Sequence, residues 1–247
     1  MQQQQLTGKV VLVTGAGSGL GEATARAFAA AGCSIACIDL NQASVERVSQ
    51  SLLAQDIRSL ALPCDVSNAD AVFSTVQTVV EQFGRLDIVV NCAAIDHTVS
   101  VDEMTIEQWD QVIGVNLRGP FLFAKAALPI MRQQHSGHIF NVASTAAVRA
   151  WGNASAYHAT KWGLIGFSRG LGVEGRVDNI RVTTIIPGGM RTHFFDRFVE
   201  QGIPMPEEKN LQDPDTVAST IVFAAQIPPE SALQEVMITP LTETSWP

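Results

Sequence analysis

The chain has 247 residues, a formal net charge of -8 and a pI of about 5.0, with 46 % apolar and 16 % charged residues. The length fits one domain and the apolar fraction a sizeable core, so residues 1–247 are expected to form a single unit. The acidic balance argues against nucleic acid or an anionic membrane as main partner, because no basic face is available.

No apolar run reaches the ~18 residues needed to span a bilayer. Residues 1–5 are polar and lead straight into a strand-like run, which does not read as a signal sequence. Cys33, Cys37, Cys64 and Cys92 form no CxxC pair and lie in or beside apolar runs. They are expected to be buried thiols in a reducing cytoplasm rather than disulfides or metal ligands.

Residues 9–14 (KVVLVT) are apolar and β-branched and predict a buried strand. The turn TGAGSGLG follows at residues 14–21, then an alanine-rich helix over 22–31 that ends at Gly32. Glycines between a strand and a helix let the backbone turn tightly and let a pyrophosphate approach the helix N-terminus, where unbonded N–H groups favour an anion. A purely structural turn is the alternative. Residues 33–40 (CSIACIDL) form the second strand, with Asp39 near its end. A carboxylate there can accept hydrogen bonds from an adenosine ribose and would repel a 2′-phosphate. The glycine loop carries Ser18 and no basic residue, so NAD is expected over NADP.

The alternation continues. A helix is expected over 43–53, a strand over 57–64 running to Asp65, and a helix opened by a capping-box-like Ser67-Asn68-Ala69-Asp70 and closed by Gly84. Residues 86–91 (LDIVVN) form a buried strand leading into Cys92-Ala93-Ala94. Residues 105–108 (TIEQ) fit a capping box for a long helical region to about 134, with a break near Pro120. A strand over 137–143 runs into Ser144, and a helix carrying Tyr157 and Lys161 runs to about 175. A strand over 180–186 ends at Pro187-Gly188-Gly189. Asp213-Pro214 starts a further helix, and residues 235–239 form a last strand. This pattern predicts an α/β fold: a Rossmann-type, doubly wound parallel sheet with helices on both faces and a dinucleotide across the carboxyl ends of the strands.

Tyr157 and Lys161 are four apart, on one face of their helix. A phenol ionises near pH ~10, and a neighbouring ammonium group lowers that value towards the range useful for acid–base work. Alone, a YxxxK spacing is equally well a surface coincidence.

The motifs together resemble those of the classical short-chain dehydrogenase/reductase family over essentially the full chain. Thr14-Gly15-Ala16-Gly17-Ser18-Gly19-Leu20-Gly21 matches its glycine turn, Tyr157 and Lys161 its YxxxK, and Ser144 its catalytic serine. Asn116 matches its active-site asparagine, Asp65-Val66 its adenine-contacting pair, and Pro187-Gly188 its nicotinamide-side turn. One motif departs: the family's Asn-Asn-Ala-Gly is Asn91-Cys92-Ala93-Ala94 here, and Ala94 demands an ordinary backbone angle or a displaced loop.

The resemblance implies roles. Tyr157 exchanges a proton with the substrate oxygen, Ser144 holds that oxygen, Lys161 lowers the Tyr pKa and holds the nicotinamide ribose, and Asn116 anchors a relay water. The cofactor, NAD, would lie on Gly15, Ser18, Gly19, Leu20, Asp39, Leu40, Asp65, Val66, Asn91, Ala93, Tyr157, Lys161, Pro187 and Gly188. The family's helices pair between subunits, implying a homotetramer or homodimer.

The segment at about 189–212 is too long for an ordinary connection and reads as a substrate lid. Phe194, Phe195, Phe198 and Val199 recur there at helical spacing, which suits either a partly apolar substrate or simple packing of the lid. The substrate pocket is expected to include Ser144, Tyr157, Trp151 and Met190. Asp96 and His97 are further candidates for it, and Arg149 is a candidate handle for an anionic substrate. His97 and His193 read as loop residues, and the histidines show no metal-ligand spacing. The expected activity is interconversion of a secondary alcohol and a ketone with NAD(H). An NADPH-dependent 3-oxoacyl-thioester reductase is the rival within the class, and a non-catalytic nucleotide-binding scaffold the rival outside it.

Overall fold

The computed structural model describes residues 4–243. Seven strands form one sheet: β1 (Val10–Thr14), β2 (Ser34–Asp39), β3 (Ser59–Pro63), β4 (Ile88–Asn91), β5 (Gly137–Val142), β6 (Ile180–Pro187) and β7 (Glu235–Ile238). All pairings are parallel, in the order β3-β2-β1-β4-β5-β6-β7. The strand order reverses between β1 and β4, so the helices that follow these two strands leave the sheet on opposite faces and open a crevice at their carboxyl ends.

The helices are α1 (Gly19–Ala30), α2 (Gln42–Leu53), α3 (Ala69–Phe83), α4 (Ile106–Ile113), α5 (Gly119–Gln134), α6 (Ser155–Gly175), the short α7 (Asp196–Glu200) and α8 (Pro214–Gln226). Strand residues divide by parity, because successive side chains point to opposite faces. Val11, Val13, Ile35 and Cys37 join Phe28 of α1, Val48 of α2 and Ile221 of α8 in one core layer. Val10, Leu12, Ala36 and Ile38 join Val76 of α3, Phe123 of α5 and Leu171 of α6 in the other. With both faces covered, the strands need apolar residues at every position, and all five residues of β1 are buried.

Local chemistry sets the helix ends. The Thr105–Gln108 capping box is complete, with the Gln108 N–H donating to Thr105 Oγ1 at 3.2 Å and the Thr105 N–H to Gln108 Oε1 at 3.0 Å. Helix α3 is capped differently from the sequence expectation. Asn68, not Ser67, is its N-cap and accepts from the Ala71 N–H at 3.0 Å. Ser67 is withdrawn because both its N–H and its hydroxyl donate to Asp65 Oδ1. The break expected near Pro120 is a five-residue π turn, Gly114–Arg118, centred on Asn116. Pro120 has no N–H to close the i→i−4 bond to the Asn116 carbonyl, which disfavours continuing the α-helix there.

The glycine turn is steric. Gly15 has φ +67 and lies against the Ala93 backbone, where an added Cβ would meet Ala93 N and Cα at 3.0 Å. At Gly21 a Cβ would fall inside the contact radius of the Gly15 carbonyl oxygen. Gly21→Ala is therefore expected to lower stability by about 1–3 kcal/mol through overpacking. Urea denaturation checks it, and a variant as stable as the parent would mean that the turn can move aside.

Candidate active site

One cavity of about 880 Å³ runs along the carboxyl ends of the strands. One end is bounded by Ser18, Asp39, Leu40, Asp65 and Val66, and the other by Ser144, Tyr157, Lys161, Trp151 and Met190. Gly15, Gly19, Leu20, Ala93, Pro187 and Gly188 also line it. Asp39 Oδ2 accepts from the Gly17 N–H and Oδ1 from the Asn41 N–H, both at 2.9 Å, which fixes the carboxylate against the glycine loop. A Cβ on Gly17 would lie 2.8 Å from that carboxylate oxygen, so the loop stays thin enough to hold it beside the cavity. Arg47 of α2 also reaches the loop, donating to the Gly17 carbonyl at 2.9 Å while paired with Glu22.

Two expected residues lie outside the cavity lining. Asn91 is buried, and its amide donates to Asn141 Oδ1 at 2.8 Å. Asn116 is buried in the π turn: its Oδ1 accepts from the Ile95 N–H and its Nδ2 donates to the Ile95 carbonyl, each at 2.8 Å. Asn116 thus clamps the loop after β4. Thr14 Oγ1 holds the same loop from below, accepting from the Cys92 and Ala93 N–H groups at 3.1 Å. Ala94 is not among the residues in the left-handed region, so the loop takes the alanine at an ordinary backbone angle.

Tyr157 is the chain's single tyrosine. It is buried and lines the cavity beside Ser144, whose hydroxyl is close enough to favour the ionised phenol. Ser144 leaves β5 in extended conformation and caps the short turn Thr145–Ala147, its Oγ accepting from the Ala146 N–H at 3.1 Å. Lys161 is 2 % exposed, and its Nζ donates to the Val142 carbonyl at 2.8 Å. Its Nζ lies 5.4 Å from the centre of the Tyr157 ring.

Burial lowers the Lys161 pKa to about 8, with a small opposing effect of Cys92. The expected lowering of the Tyr157 pKa by Lys161 does not appear in this geometry. Burial dominates and raises Tyr157 above its ordinary value; the Ser144 hydroxyl and the Arg197 charge pull it down, and the Asp96 charge pushes it up.

The segment 189–212 is pinned at its base where Met190 bridges Gln212, with the Arg191 N–H donating to the Gln212 carbonyl and the Gln212 N–H to the Gly189 carbonyl, each at 2.9 Å. Phe194 packs on Tyr157 at 5.6 Å between ring centres. Arg197 stacks on Phe194 and pairs with Asp96 at 2.9 Å. Arg149 is not an open anion handle: its guanidinium is paired with Glu243. His97 bonds Gln111 outside the cavity, and His193 stands at its mouth beside Asp196.

Sequence reading missed Thr192, Asn210 and Glu243, all of which line the cavity. Thr192 follows the Pro187-Gly188 turn and its methyl lies 3.3 Å from where a Cβ on Gly19 would sit, a contact no local pattern signals. Cys33, Cys37 and Cys64 are buried thiols, and burial raises Cys33 to about 12 and Cys37 to about 11. Among the described residues no group of His, Cys, Asp or Glu is arranged to hold a metal, and no helix is long and apolar enough to cross a membrane.

A family model described as short chain dehydrogenase matches residues 9–202. The chain is 34 % identical over 233 residues to the uncharacterised oxidoreductase YxjF of Bacillus subtilis (strain 168), covering 88 % of this chain and 91 % of that protein. It is 38 % identical over 183 residues to D-threitol dehydrogenase of Mycolicibacterium smegmatis, covering 74 % and 70 %. Among solved structures, an alcohol dehydrogenase of Thermococcus sibiricus complexed with 5-hydroxy-NADP superposes with a TM-score of 0.87 at 27 % identity, covering 96 % of this chain and 99 % of that one. The chain belongs to the short-chain dehydrogenase/reductase family, a family of oxidoreductases on a Rossmann-type fold.

The raised Tyr157 pKa has a direct consequence. Below pH ~10 the phenol is neutral in both folded and unfolded chains. Above that the unfolded chain loses the proton first, so this group's contribution to stability declines as pH rises. Alkaline difference absorbance, which reads this one tyrosine, is expected to show no phenolate in the folded protein at pH ~10.5 and a midpoint near ~10 in denaturant. Equal midpoints would mean that the phenol is solvated.

Proposed function

We propose that the chain is an NAD(H)-dependent oxidoreductase that interconverts a secondary alcohol and its ketone, with Tyr157 as general acid–base. The observation that carries this reading is that Ser144 and Tyr157 line one cavity, with the Lys161 ammonium group buried beside them on the Val142 carbonyl. A scaffold has no need of a buried lysine at that place.

The residues fit a dinucleotide: a glycine turn at the N-terminus of α1 for the pyrophosphate, Asp39 for the adenosine ribose, and Lys161 for the second ribose. The nicotinamide, when bound, supplies or takes the hydride. The chain's residues do the rest. Ser144 holds the substrate oxygen beside Tyr157. Tyr157 gives that oxygen a proton on reduction and takes one on oxidation. Lys161, whose pKa burial lowers, is placed beside Tyr157 to pass protons on from it. Asn116 acts on this route through position, holding Ile95 and contacting Thr160, whose hydroxyl donates to the Tyr157 carbonyl at 2.8 Å. Phe194 and the lid keep bulk water off the reacting atoms.

Asp39 supports NAD over NADP, since its carboxylate opposes a 2′-phosphate. The rival reading, an NADPH-dependent reductase of the 3-oxoacyl-thioester type, draws on Arg47, a cation at the glycine loop, and on the NADP-type ligand of the Thermococcus structure. Arg47 is already matched by Glu22, which favours the NAD reading. Exposed Phe121 of α5 and Trp162 and Val173 of α6 supply an apolar outer face for pairing of copies, in a dimer or tetramer. Four unpaired cysteines suit a reducing cytoplasm.

Tyr157→Phe is expected to leave NADH binding nearly intact, read by fluorescence titration, while kcat falls by about 10²- to 10⁴-fold. An active Tyr157→Phe enzyme would sink the mechanism. Asp39→Ala is expected to narrow the NADH over NADPH preference in the same titration. An unchanged ratio would remove Asp39 from the ribose.

A further inference from the structure

Ser144 and Tyr157 reach the cavity from different elements. Ser144 opens the loop of residues 144–154 after β5, and Tyr157 stands in the first turn of α6. One side chain links that loop to that helix, His158, the residue after the tyrosine. Its Nδ1 lies 2.8 Å from the Ala146 carbonyl oxygen, and the Trp151 N–H donates to its Nε2 at 3.1 Å. Its ring meets the Trp151 ring edge-on, 4.5 Å between centres.

The two partners fix the tautomer. A carbonyl oxygen only accepts, so Nδ1 carries the hydrogen; a backbone N–H only donates, so Nε2 is bare. The Trp151 carbonyl oxygen also lies 3.3 Å from Nε2, but a bare nitrogen has nothing to give it. The neutral ring therefore works with both nitrogens, one on each half of the loop.

On the serine side, both main-chain groups of Ala146 are engaged. Its carbonyl accepts from His158 Nδ1, and its N–H donates to Ser144 Oγ at 3.1 Å. The serine oxygen is thereby used as an acceptor, and its one hydrogen is left for another oxygen. On the other side stands Trp151, which lines the same end of the cavity as Ser144 and Tyr157. The first half of the loop is closed by its own backbone, with the Ala147, Val148 and Arg149 N–H groups donating to the Ser144 and Thr145 carbonyls. Among the described residues no backbone–backbone bond ties Trp151 itself. It is held by the His158 bond and ring contact, with the Arg149 guanidinium 5.9 Å from its ring centre.

We infer that His158 is the positioning residue of the substrate end: it registers the loop of Ser144 and Trp151 against the helix of Tyr157, Nδ1 setting the serine hydroxyl for the reacting oxygen and Nε2 setting the Trp151 wall. This rests on the alcohol–ketone reading above. Adjacent residues of one helix move together, so a strut on His158 holds the loop at a constant distance from the phenol. The reaction needs that constancy, since a displacement of about 1 Å at the reacting groups can cost about 10²-fold in rate.

Two amides separate the two contacts. In His158→Asn the amide NH2 takes the place of Nδ1–H and nothing replaces Nε2. In His158→Gln the amide oxygen takes the place of Nε2 and nothing replaces Nδ1–H. Kinetics are read with NADH on the best probe among butanone, hydroxyacetone, cyclohexanone and acetophenone. His158→Asn is expected to keep kcat within about threefold and to raise KM by about 3- to 10-fold, the loss of one neutral hydrogen bond at the wall. His158→Gln is expected to keep KM and to lower kcat by about 10- to 100-fold, as for a displaced reacting group. A histidine that only stabilises the fold gives both variants the same pattern.

The same pattern in both variants, or parent-like constants in both, overturns the inference and leaves the dehydrogenase reading standing. A parent that reduces none of the probes with NADH or NADPH overturns both. Nitrogen-15 NMR of the parent labelled at histidine needs no variant to fold. The ring identified by its contact with the Trp151 indole is expected to carry its hydrogen on Nδ1, and a ring carrying it on Nε2 overturns the inference.

Discussion

Burying the Lys161 ammonium group is the arrangement on which the rest of the site depends. A cation almost removed from solvent is held by one backbone carbonyl, that of Val142, at the carboxyl end of β5. Such burial is unfavourable for the charged form and lowers the Lys161 pKa. It persists because α6 is locked on both sides. Towards the sheet, Leu171 and Phe167 anchor the helix in the core layer shared with α3 and α5. Towards the loops, Thr160 bonds Asn116, which in turn grips Ile95. The π turn around Asn116 is therefore part of the same device: it presents an amide to the loop after β4 at the level where α6 passes. Tyr157 follows by geometry, one helical turn from Lys161.

The other half of the cavity is set by the sheet. Reversal of strand order at β1 and β4 opens a crevice that no side chain closes, and the glycine turn keeps it open at the start of α1. Asp39 ends β2 and turns its carboxylate to the Gly17 N–H, so the carboxylate at this end of the cavity is built into the glycine turn. Residues distant in sequence share this crevice because parallel strands all present their carboxyl ends to one edge. One fold can support many reactions on that edge, so in the proposed reading the reaction rests on Ser144, Tyr157 and Lys161 and the selectivity on what faces them.

What could be read from the sequence follows this division. Alternation of short apolar runs with amphipathic stretches gives the order of elements, because buried parallel strands and their crossover helices each impose a period. The glycine turn and the Tyr157–Lys161 spacing are equally local, since both are fixed within one or two turns of backbone. Non-local features were not legible. The clamp of Asn116 on Ile95, the withdrawal of Asn91 beneath the cavity and the pairing of Arg149 with Glu243 depend on loops that meet only after folding. The Tyr157 pKa belongs with these. The i,i+4 spacing puts a lysine nearby, but it does not report the burial that outweighs it. Even a cap can turn on a neighbour, as where Asp65 draws Ser67 away from α3.

The segment 189–212 joins the two levels. Its arginine stacks on the aromatic residue that covers Tyr157 and at the same time neutralises Asp96. The cover on Tyr157 and the charge balance at Asp96 therefore depend on the same side chain: moving Arg197 away would uncover Tyr157 and leave Asp96 a bare charge in a poorly solvated site. The placement of this segment is thereby favoured by electrostatics as well as by apolar packing.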